Sequence, residues 1–378
     1  MMIIYRAKYF LPFLVALGIL MVTGFSRTIQ ERPTTGFWSM EGALVTHFFE
    51  DETDSLSGPE LFELQDENGL PIWFGRHIFK DVCISGKCKM IRLWLFWDGA
   101  GNYLGMQVPE QEPLTKSDHT PFEPEDYEKL EDILRDTASI LKDLKQEDLI
   151  IVPDTIDLYM AYEVDGYTAA TQPALAEVVV KDAVYTCHTL WHTVYGPVQT
   201  EIHQIMESRI SEKFLAKMFE SQKPEYISWA IESVEKHPEY HAGFYSKIME
   251  FISSENSALA NQALSYFQPE LLADTAVQLQ LIQVMPDSDT SIKYEILWKF
   301  ISLGQIHPKA VVKLLEMFAS QQLGVGTYNL ILRLITLEHL NDNEQIVQIL
   351  NDLSENENGY IQNLTKRTLD KKSKTISQ

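Results

Sequence analysis

The sequence is poor in cationic residues. It contains 31 Lys and Arg against 54 Asp and Glu, which gives a formal net charge of −23 over 378 residues. Because binding to DNA, RNA or an anionic lipid surface needs clustered Lys and Arg, this balance argues against nucleic acid as the main partner. With 45% hydrophobic and 22% charged residues, the composition is that of a globular protein and not of a disordered chain.

The chain also lacks the short motifs of common hydrolases and nucleotide-binding proteins. It contains no Gly-x-Ser-x-Gly elbow, no His-Glu-x-x-His zinc motif, no Walker sequence and no dinucleotide fingerprint. The stretch DGAGN at Asp98–Asn102 is glycine-rich, but neither a helix nor a phosphate-binding lysine follows it. We therefore predict a plain hairpin turn there, and we find no sign of a catalyst of bond cleavage.

Cysteines are scarce, with three in the whole chain. Cys83 and Cys88 flank the sequence ISGK, in which Ser-Gly is a turn signal. Strands leaving such a turn bring two thiols within reach of each other, and zinc would need a second pair of ligands. We therefore predict a disulfide between Cys83 and Cys88 and no metal site. The remaining Cys187 is interpreted as a small buried hydrophobe.

Long apolar runs are absent except near the start of the chain. Arg6 and Lys8 precede an uncharged run over residues 9–25, which is the layout of a secretory signal. Residues 1–26 are therefore predicted to be a signal peptide or a retained signal anchor, and the sequence leaves both outcomes open. Either outcome places the rest of the chain outside the cytoplasm, in the periplasm or cell envelope. No cysteine is available for lipidation near this segment.

Residues 27–197 mix strand and helix signals, which predicts a small α+β domain. Residues 90–97 alternate in polarity and residues 103–108 return as a second strand. A helix is predicted from Pro124, with one apolar stripe that continues through Leu141 and Leu144. A strand-like stretch at 149–152 follows. A second helix is predicted over 183–195, where Gly196-Pro197 ends it.

Residues 198–378 contain almost no strand signals. We predict roughly ten short amphipathic helices between Glu201 and Asp370, each of which needs neighbours to cover its apolar stripe. Stacked helix pairs of the HEAT type meet this need, and a compact helical bundle is the alternative. The clearest segments are 224–237, 258–267, 269–285, 291–303 and 308–319. The fold class is therefore α+β, a small mixed domain followed by an all-α domain with a polar C-terminal tail.

The heptapeptide DGYTAAT at Asp165–Thr171 is unusual because every side chain after its tyrosine is small. Thr171 offers a hydroxyl group and Asp165 a carboxylate. Ala169 and Ala170 leave the backbone accessible to a large ligand or a modifying enzyme. Such a segment is typical of a surface loop with a function, although a loop whose Thr168 or Thr171 caps a helix is the simpler interpretation.

The order Asp-x-x-Thr-Ala-Ala-Thr resembles the recognition motif of FMN-binding domains. That family includes the C subunit of sodium-translocating NADH:quinone reductase and the G subunit of the Rnf complex. The resemblance covers about residues 88–196 and rests on Asp165, Thr168, Ala169, Ala170 and Thr171. It implies that an extracytoplasmic flavin transferase joins FMN through its phosphate to the Thr171 hydroxyl. It further implies a redox carrier, not a stand-alone enzyme, that exchanges electrons with a membrane or extracytoplasmic protein.

The resemblance also indicates residues around the flavin. His119, in the loop LTKSDHTPF (residues 114–122), is a candidate contact to the ring or the phosphate. Several aromatic residues are candidates to pack on the ring, although a role in the core is the more ordinary interpretation; they are Trp94, Phe96, Trp97, Tyr103 and Trp191. The family usually has glycine where this chain has Ala169, and Gln172-Pro173 follows the motif.

Two alternatives remain open from the sequence. The first is a non-catalytic binding or scaffold protein, in which an FMN-binding-like domain has lost its cofactor and a protein partner docks on the helical repeats. The second concerns His188 and His192, which lie four apart on one helix face and form a weak candidate metal pair. No carboxylate accompanies them in the sequence, so we predict no metal.

Overall fold

The computed structural model of this chain describes residues 36–51, 54, 56–83, 88–149 and 173–375, without side chains at 173, 174 and 371–375. The predicted leader (1–26), the stretch 150–152 and the heptapeptide 165–171 lie outside the described residues. Contacts divide the chain into residues 1–40 and 41–378. The first unit shows a 3-10 turn at Gly36–Ser39, and all the following elements belong to the second. The predicted domain boundary after residue 197 stays a prediction.

A five-stranded antiparallel sheet begins the second unit, and its strands lie side by side in chain order. The strands are β1 (Ala43–Phe48), β2 (Glu60–Gln65), β3 (Pro71–Lys80), β4 (Ile91–Trp97) and β5 (Tyr103–Gln107). The two strands predicted from alternating polarity correspond to β4 and β5. The predicted turn between them is a hairpin in which Asp98 Oδ1 accepts the amides of Ala100 and Asn102, each at 2.8 Å.

Between the sheet and Gly196 the described residues form the helices α1 (Pro124–Arg135), α2 (Pro173–Ala176) and α3 (Val184–Val194). Helix α1 begins at its proline as predicted, but the prediction that its stripe reaches Leu144 is wrong. The Asp136 carboxylate accepts the Ala138 amide at 2.9 Å, and this local turn ends the helix. Leu141 instead lies in a 3-10 turn, Ile140–Asp143, and is fully buried.

The remainder of the described chain is helical, and its first helix begins directly after Gly196. The helices are α4 (Pro197–Ser208), α5 (Glu212–Glu220), α6 (Pro224–Lys236), α7 (His241–Phe251), α8 (Ser257–Ser265), α9 (Pro269–Leu272), α10 (Thr275–Val284), α11 (Thr290–Leu303), α12 (Pro308–Ala319), α13 (Val325–Arg333), α14 (Leu337–Asp342), α15 (Glu344–Ser354) and α16 (Gly359–Thr375). The segment predicted as one helix over 269–285 is two, because Asp274 caps a new helix by accepting the Ala276 amide at 2.8 Å.

These helices stack in two layers. In one layer α7, α10, α12 and α15 pack in succession, and in the other α6, α8, α11, α13 and α16 do so. Within pairs, α5 packs on α6, α7 on α8, α12 on α13 and α15 on α16. Each apolar stripe is therefore covered by the neighbouring helices, as the amphipathic pattern requires. The described fold is α+β, with the sheet in the N-terminal part and a helical C-terminal part.

The sheet presents different residues to its two faces. Trp97 and Phe74, paired across β4 and β3, face the helices, and the Trp97 indole donates to the Val194 carbonyl at 2.9 Å. On the opposite face the rings of Trp73 and Phe96 meet edge to face, 5.3 Å apart. Gly75 lies beneath them, and a Cβ there would come within 2.9 Å of the Phe96 ring. Glycine is required at this position because the two rings occupy the space of a side chain.

Candidate functional site

A small cleft lies where the cysteine pair, the 114–122 loop and helix α3 meet, and we call it the disulfide cleft. It is lined by Cys88, Lys89, Lys116, Ser117 and the start of α3 at residues 183–186. Its volume is about 20 Å³, which suits a water molecule and not a flavin ring. It is nevertheless the described surface on which the candidate loop and the helix after the heptapeptide come together.

The cysteine pair forms one wall of the disulfide cleft. Cys83 and Cys88 are bonded, with their Cα atoms 5.8 Å apart, which fits the predicted disulfide. The Cys88 amide donates to Cys83 Sγ at 3.0 Å. The residue before the bridge is held firmly, because the Val82 carbonyl accepts from Gln146 Nε2 at 2.7 Å. The bridge therefore joins the ends of β3 and β4 next to the helical layer.

The 114–122 loop forms a tight turn whose tip is exposed. Its ends are buried through Leu114 and Phe122, and the Phe122 amide donates to the Leu114 carbonyl at 2.8 Å. His119 is exposed and has a left-handed backbone with φ of 67°. Its neighbour Asp118 accepts from the Thr120 hydroxyl at 2.6 Å, a bond that lowers the pKa of this carboxyl. His119 is thus accessible to a ligand, while Asp118 stabilises the turn.

The start of α3 lies against this loop. The Ser117 amide donates to the Asp182 carbonyl at 2.7 Å, and Asp182 has a φ of 59° immediately before the helix. Ala183 occupies the N-cap and supplies no capping side chain. The N-terminal end of a helix attracts anions through its amides and its dipole. Lys116 stands nearby, although its ammonium group is paired with Asp126 at 2.8 Å, a hydrogen bond that raises the pKa of the lysine.

His188 and His192 do not form a metal site in the described structure. Nε2 of His188 lies 2.9 Å from the Leu144 carbonyl, and Nε2 of His192 lies 2.9 Å from the Leu141 carbonyl. Since a carbonyl oxygen only accepts, each of these nitrogens carries its proton and donates. The pair therefore fastens the 140–144 turn to α3. Among the described residues no group of three or more potential ligands is close enough to hold a metal.

Cys187 and most of the candidate aromatics belong to the core. Cys187 is fully buried, and burial raises the pKa of its thiol to about 12, so the interpretation as a small hydrophobe is confirmed. Trp97, Tyr103 and Trp191 lie in the main apolar core. The Trp191 indole donates to the Asp136 carbonyl at 3.0 Å, which ties α3 to the end of α1. Trp94 and Phe96 are also buried, but on the opposite face of the sheet.

The predicted attachment residues precede the described segment that leads into α3. Asp165, Thr168, Ala169, Ala170 and Thr171 all lie outside the described residues. The chain after them is anchored, because Leu175 is buried and the Glu177 carbonyl accepts from Lys129 of α1 at 2.9 Å. No helix among the described residues has the length and apolarity needed to cross a membrane. The apolar run 9–25 lies outside them.

A buried charge network was missed by the sequence reasoning. Glu63 of β2 is fully buried and accepts two bonds from the Arg209 guanidinium, both at 2.6 Å, and lies 2.7 Å from His47 Nε2. Burial alone would raise the pKa of Glu63, but the bonds from Arg209 and His47 and the charge of Arg209 lower it to about 2. The one signal in the sequence is an acid at an inward position of an alternating strand, which does not reveal a partner 146 residues away.

Comparison with known proteins adds no identity. No protein-family model matches the chain, no curated protein matches it and no solved structure matches it. The class that the described fold defines is therefore an α+β protein with a meander sheet, a disulfide and a stack of helix pairs.

Proposed function

We propose that this chain is an exported flavoprotein that carries FMN on Thr171 and transfers electrons outside the cytoplasm. The Thr171 oxygen would form the bond to the flavin phosphorus and lose its proton as the leaving group of the flavin donor departs. A covalent link suits an exported protein, because a dissociated cofactor could not be replaced there, whereas a tethered ring stays at high local concentration.

The observation that carries this proposal is the heptapeptide DGYTAAT together with its surroundings. The helix expected after the motif is present as α3, and its N-terminal end meets the loop that contains His119. A helix N-terminus favours a phosphate. The loop touches it through the Ser117 amide, which donates to the Asp182 carbonyl, and His119 is exposed two residues farther along the same loop. The disulfide also agrees with an oxidising compartment, where such bonds persist.

A second candidate function is a binding protein in which the helical half, helices α4 to α16, binds the partner. We propose that its stacked pairs are a HEAT-like array that offers an extended surface to a protein partner. The supporting observation is Trp298 of α11, which is 43% exposed and lies beneath the Arg333 guanidinium of α13, 4.8 Å from the ring centre. Exposed tryptophan and arginine are the residues that protein interfaces favour.

Covalent flavin is detected directly on a denaturing gel. The full chain is co-expressed with an active flavin transferase, unfolded in detergent and viewed under ultraviolet light. We expect a fluorescent band from the wild type and a dark band from Thr171→Val, which lacks the attacking hydroxyl. Thr200→Val, at an exposed threonine of α4 outside the motif, should remain as bright as the wild type.

The same gel separates the two functions. A dark wild-type band, with the transferase shown active on a control substrate, would remove the flavoprotein proposal and leave the binding protein. Fluorescence that survives Thr171→Val would contradict the assigned attachment residue. For a labelled protein, reversible bleaching by dithionite and air would show that the bound ring cycles between redox states.

A further inference from the structure

An open cleft of about 390 Å³ lies between the β2–β3 turn and the start of α5. We call it the cationic cleft. Its polar lining comes from Gln65 at the end of β2, Asn68 of the β2–β3 turn, Arg209 and Ser211 between α4 and α5, and Lys213 and Lys217 of α5. No carboxylate is among the described residues that line it. Three cationic residues in one cleft are notable because the whole chain has a formal net charge of −23. Because Arg209 is paired with Glu63, the excess positive charge of the cleft comes from Lys213 and Lys217.

Arg209 is held in place before any ligand arrives. Its guanidinium group donates two of its five N–H groups to the buried Glu63 carboxylate, and its side chain is 22% exposed. Because the pKa of Glu63 is lowered to about 2, the carboxylate remains charged at physiological pH and the arginine stays fixed. A preorganised, planar donor set of this kind is well suited to an oxyanion.

Lys213 and Lys217 supply the charge that is not yet balanced. They lie four residues apart on α5, hence on neighbouring turns of one face, where like charges repel. Lys217 donates to the Asn68 carbonyl, a neutral acceptor. The ion pairs between described residues include neither Lys213 nor Lys217. Ser211 caps α5 by accepting the Phe214 amide at 3.3 Å, which places the positive end of the helix dipole at the same cleft.

We propose that the cationic cleft binds a phosphate dianion, either free or as a phosphate monoester. Lys213 and Lys217 balance its two charges, and Arg209 donates N–H groups that Glu63 leaves available. The ligand would bridge the β2–β3 turn and α5, so it would also tie the sheet to the helical half. This site is independent of Thr171 and of the proposed flavin.

The test uses the full chain and small anions of known composition. Inorganic phosphate, glycerol phosphate and sulfate are titrated at constant ionic strength, with sodium chloride as the reference, and the melting temperature and the heat of binding are followed. Ligands that bind only the folded state raise the melting temperature with concentration. We expect such a rise for at least one phosphate species, with little change in matched chloride.

Charge-matched variants complete the test. Lys213→Gln/Lys217→Gln should weaken phosphate binding by about tenfold or more. Lys247→Gln/Lys309→Gln changes the net charge equally outside the cleft and should bind as the wild type does. Circular dichroism checks that all variants are folded. Tighter binding of glycerol phosphate than of inorganic phosphate would identify a monoester as the ligand. Equal stabilisation by chloride, or undiminished binding in the Lys213/Lys217 variant, would overturn the proposal.

Discussion

The sheet half of the molecule, which runs from β1 to α3, and the helical half, which runs from α4 to α16, bury different kinds of polar group. In the sheet half the buried polar residues include the charged Asp54, Glu63, Arg76 and Asp98. Beyond residue 200 the buried polar residues of the described chain are six hydroxyl residues, one amide and one histidine; they are Ser233, Gln278, Ser288, Thr327, His339, Ser354, Thr365 and Thr368. Buried charges require specific partners, whereas neutral hydroxyl and amide groups can donate to a nearby backbone carbonyl.

This difference has a cause in topology. A sheet strand meets residues from distant parts of the chain, so Glu63 is balanced by Arg209 and Arg76 by Asp51, at 2.8 Å. A stacked helix meets mainly its neighbours, so a buried hydroxyl bonds within its own turn, as Thr365 does with the Ile361 carbonyl at 2.7 Å. The sheet half therefore adds long-range buried ion pairs to its apolar core, whereas the helical half buries neutral groups between packed neighbouring helices.

The sharpest way to break this contrast is to remove one partner of the buried pair. Arg209→Met removes the permanent positive charge beside the buried Glu63 and leaves the carboxylate only its contacts with His47 and Gln65, which should lower the free energy of unfolding by about 3–5 kcal/mol. The double variant Glu63→Leu/Arg209→Met removes both charges and should recover most of this loss. Urea denaturation measures both. A single variant as stable as the wild type would show that the pair is not stabilised by mutual neutralisation.

Acid should weaken the sheet half in two pH windows. Burial, with the charge of Arg92, lowers the pKa of His77 from 6.5 to about 4, so stability present above pH 6.5 is lost as the pH falls towards 4. For Glu63 the pKa falls from 4.5 to about 2, and the loss, on the order of 3 kcal/mol, occurs between these values. Denaturant unfolding at stepwise pH measures both losses.

His77→Phe separates the upper window from the lower. The phenyl ring keeps the edge-to-face contact with Trp94, now 5.3 Å between ring centres, but cannot take up a proton. Stability between pH 6.5 and 4 should therefore fall less steeply than in the wild type. His203→Gln, at an exposed histidine of α4, is the control. An unchanged slope in His77→Phe would assign the loss to other groups.

The smallest effect is expected for a buried neutral pair of the helical half. The Tyr328 hydroxyl lies 2.5 Å from Thr365 Oγ1, between α13 and α16. Tyr328→Phe removes this hydrogen bond but leaves the threonine its bond to Ile361, so the cost should be about 1 kcal/mol. It should also be the same at pH 7 and pH 5. A cost near that of Arg209→Met would erase the distinction between the two halves.

How much the sequence could predict follows the same division. In the helical half, prolines at first-turn positions and polar caps set boundaries locally, and the segment predicted at 308–319 coincides with α12. Alternating polarity was enough for β4 and β5. The sequence pattern did not single out strands β1 to β3. The segments between them carry many charged residues, and the buried Glu63 breaks the apolar pattern of β2.

For the candidate site, the sequence predicted which neighbouring residues lie together better than it predicted which distant residues they contact. The turn signal between Cys83 and Cys88 sufficed for the disulfide, because both residues are local to one hairpin. The spacing of His188 and His192 predicted that the two rings share one face of a helix, but not which residues they contact. Their partners are the carbonyls of Leu144 and Leu141, which precede them by 44 and 51 residues in the sequence. Long-range contacts of this kind are not encoded in periodicity.

The junction between the two halves also bears on how this protein can change over evolutionary time. Among the described residues, the hydrogen bonds from the helical half to the sheet and its turns come from the segment α4 to α6; they are made by Gln199, His203, Arg209, Lys217 and Tyr226. Helix pairs farther along the stack touch their neighbours in the layer. Whole helix pairs could therefore be gained or lost at the C-terminal end of the stack during evolution. Such a change would lengthen or shorten the helical surface without altering the contacts that anchor the sheet.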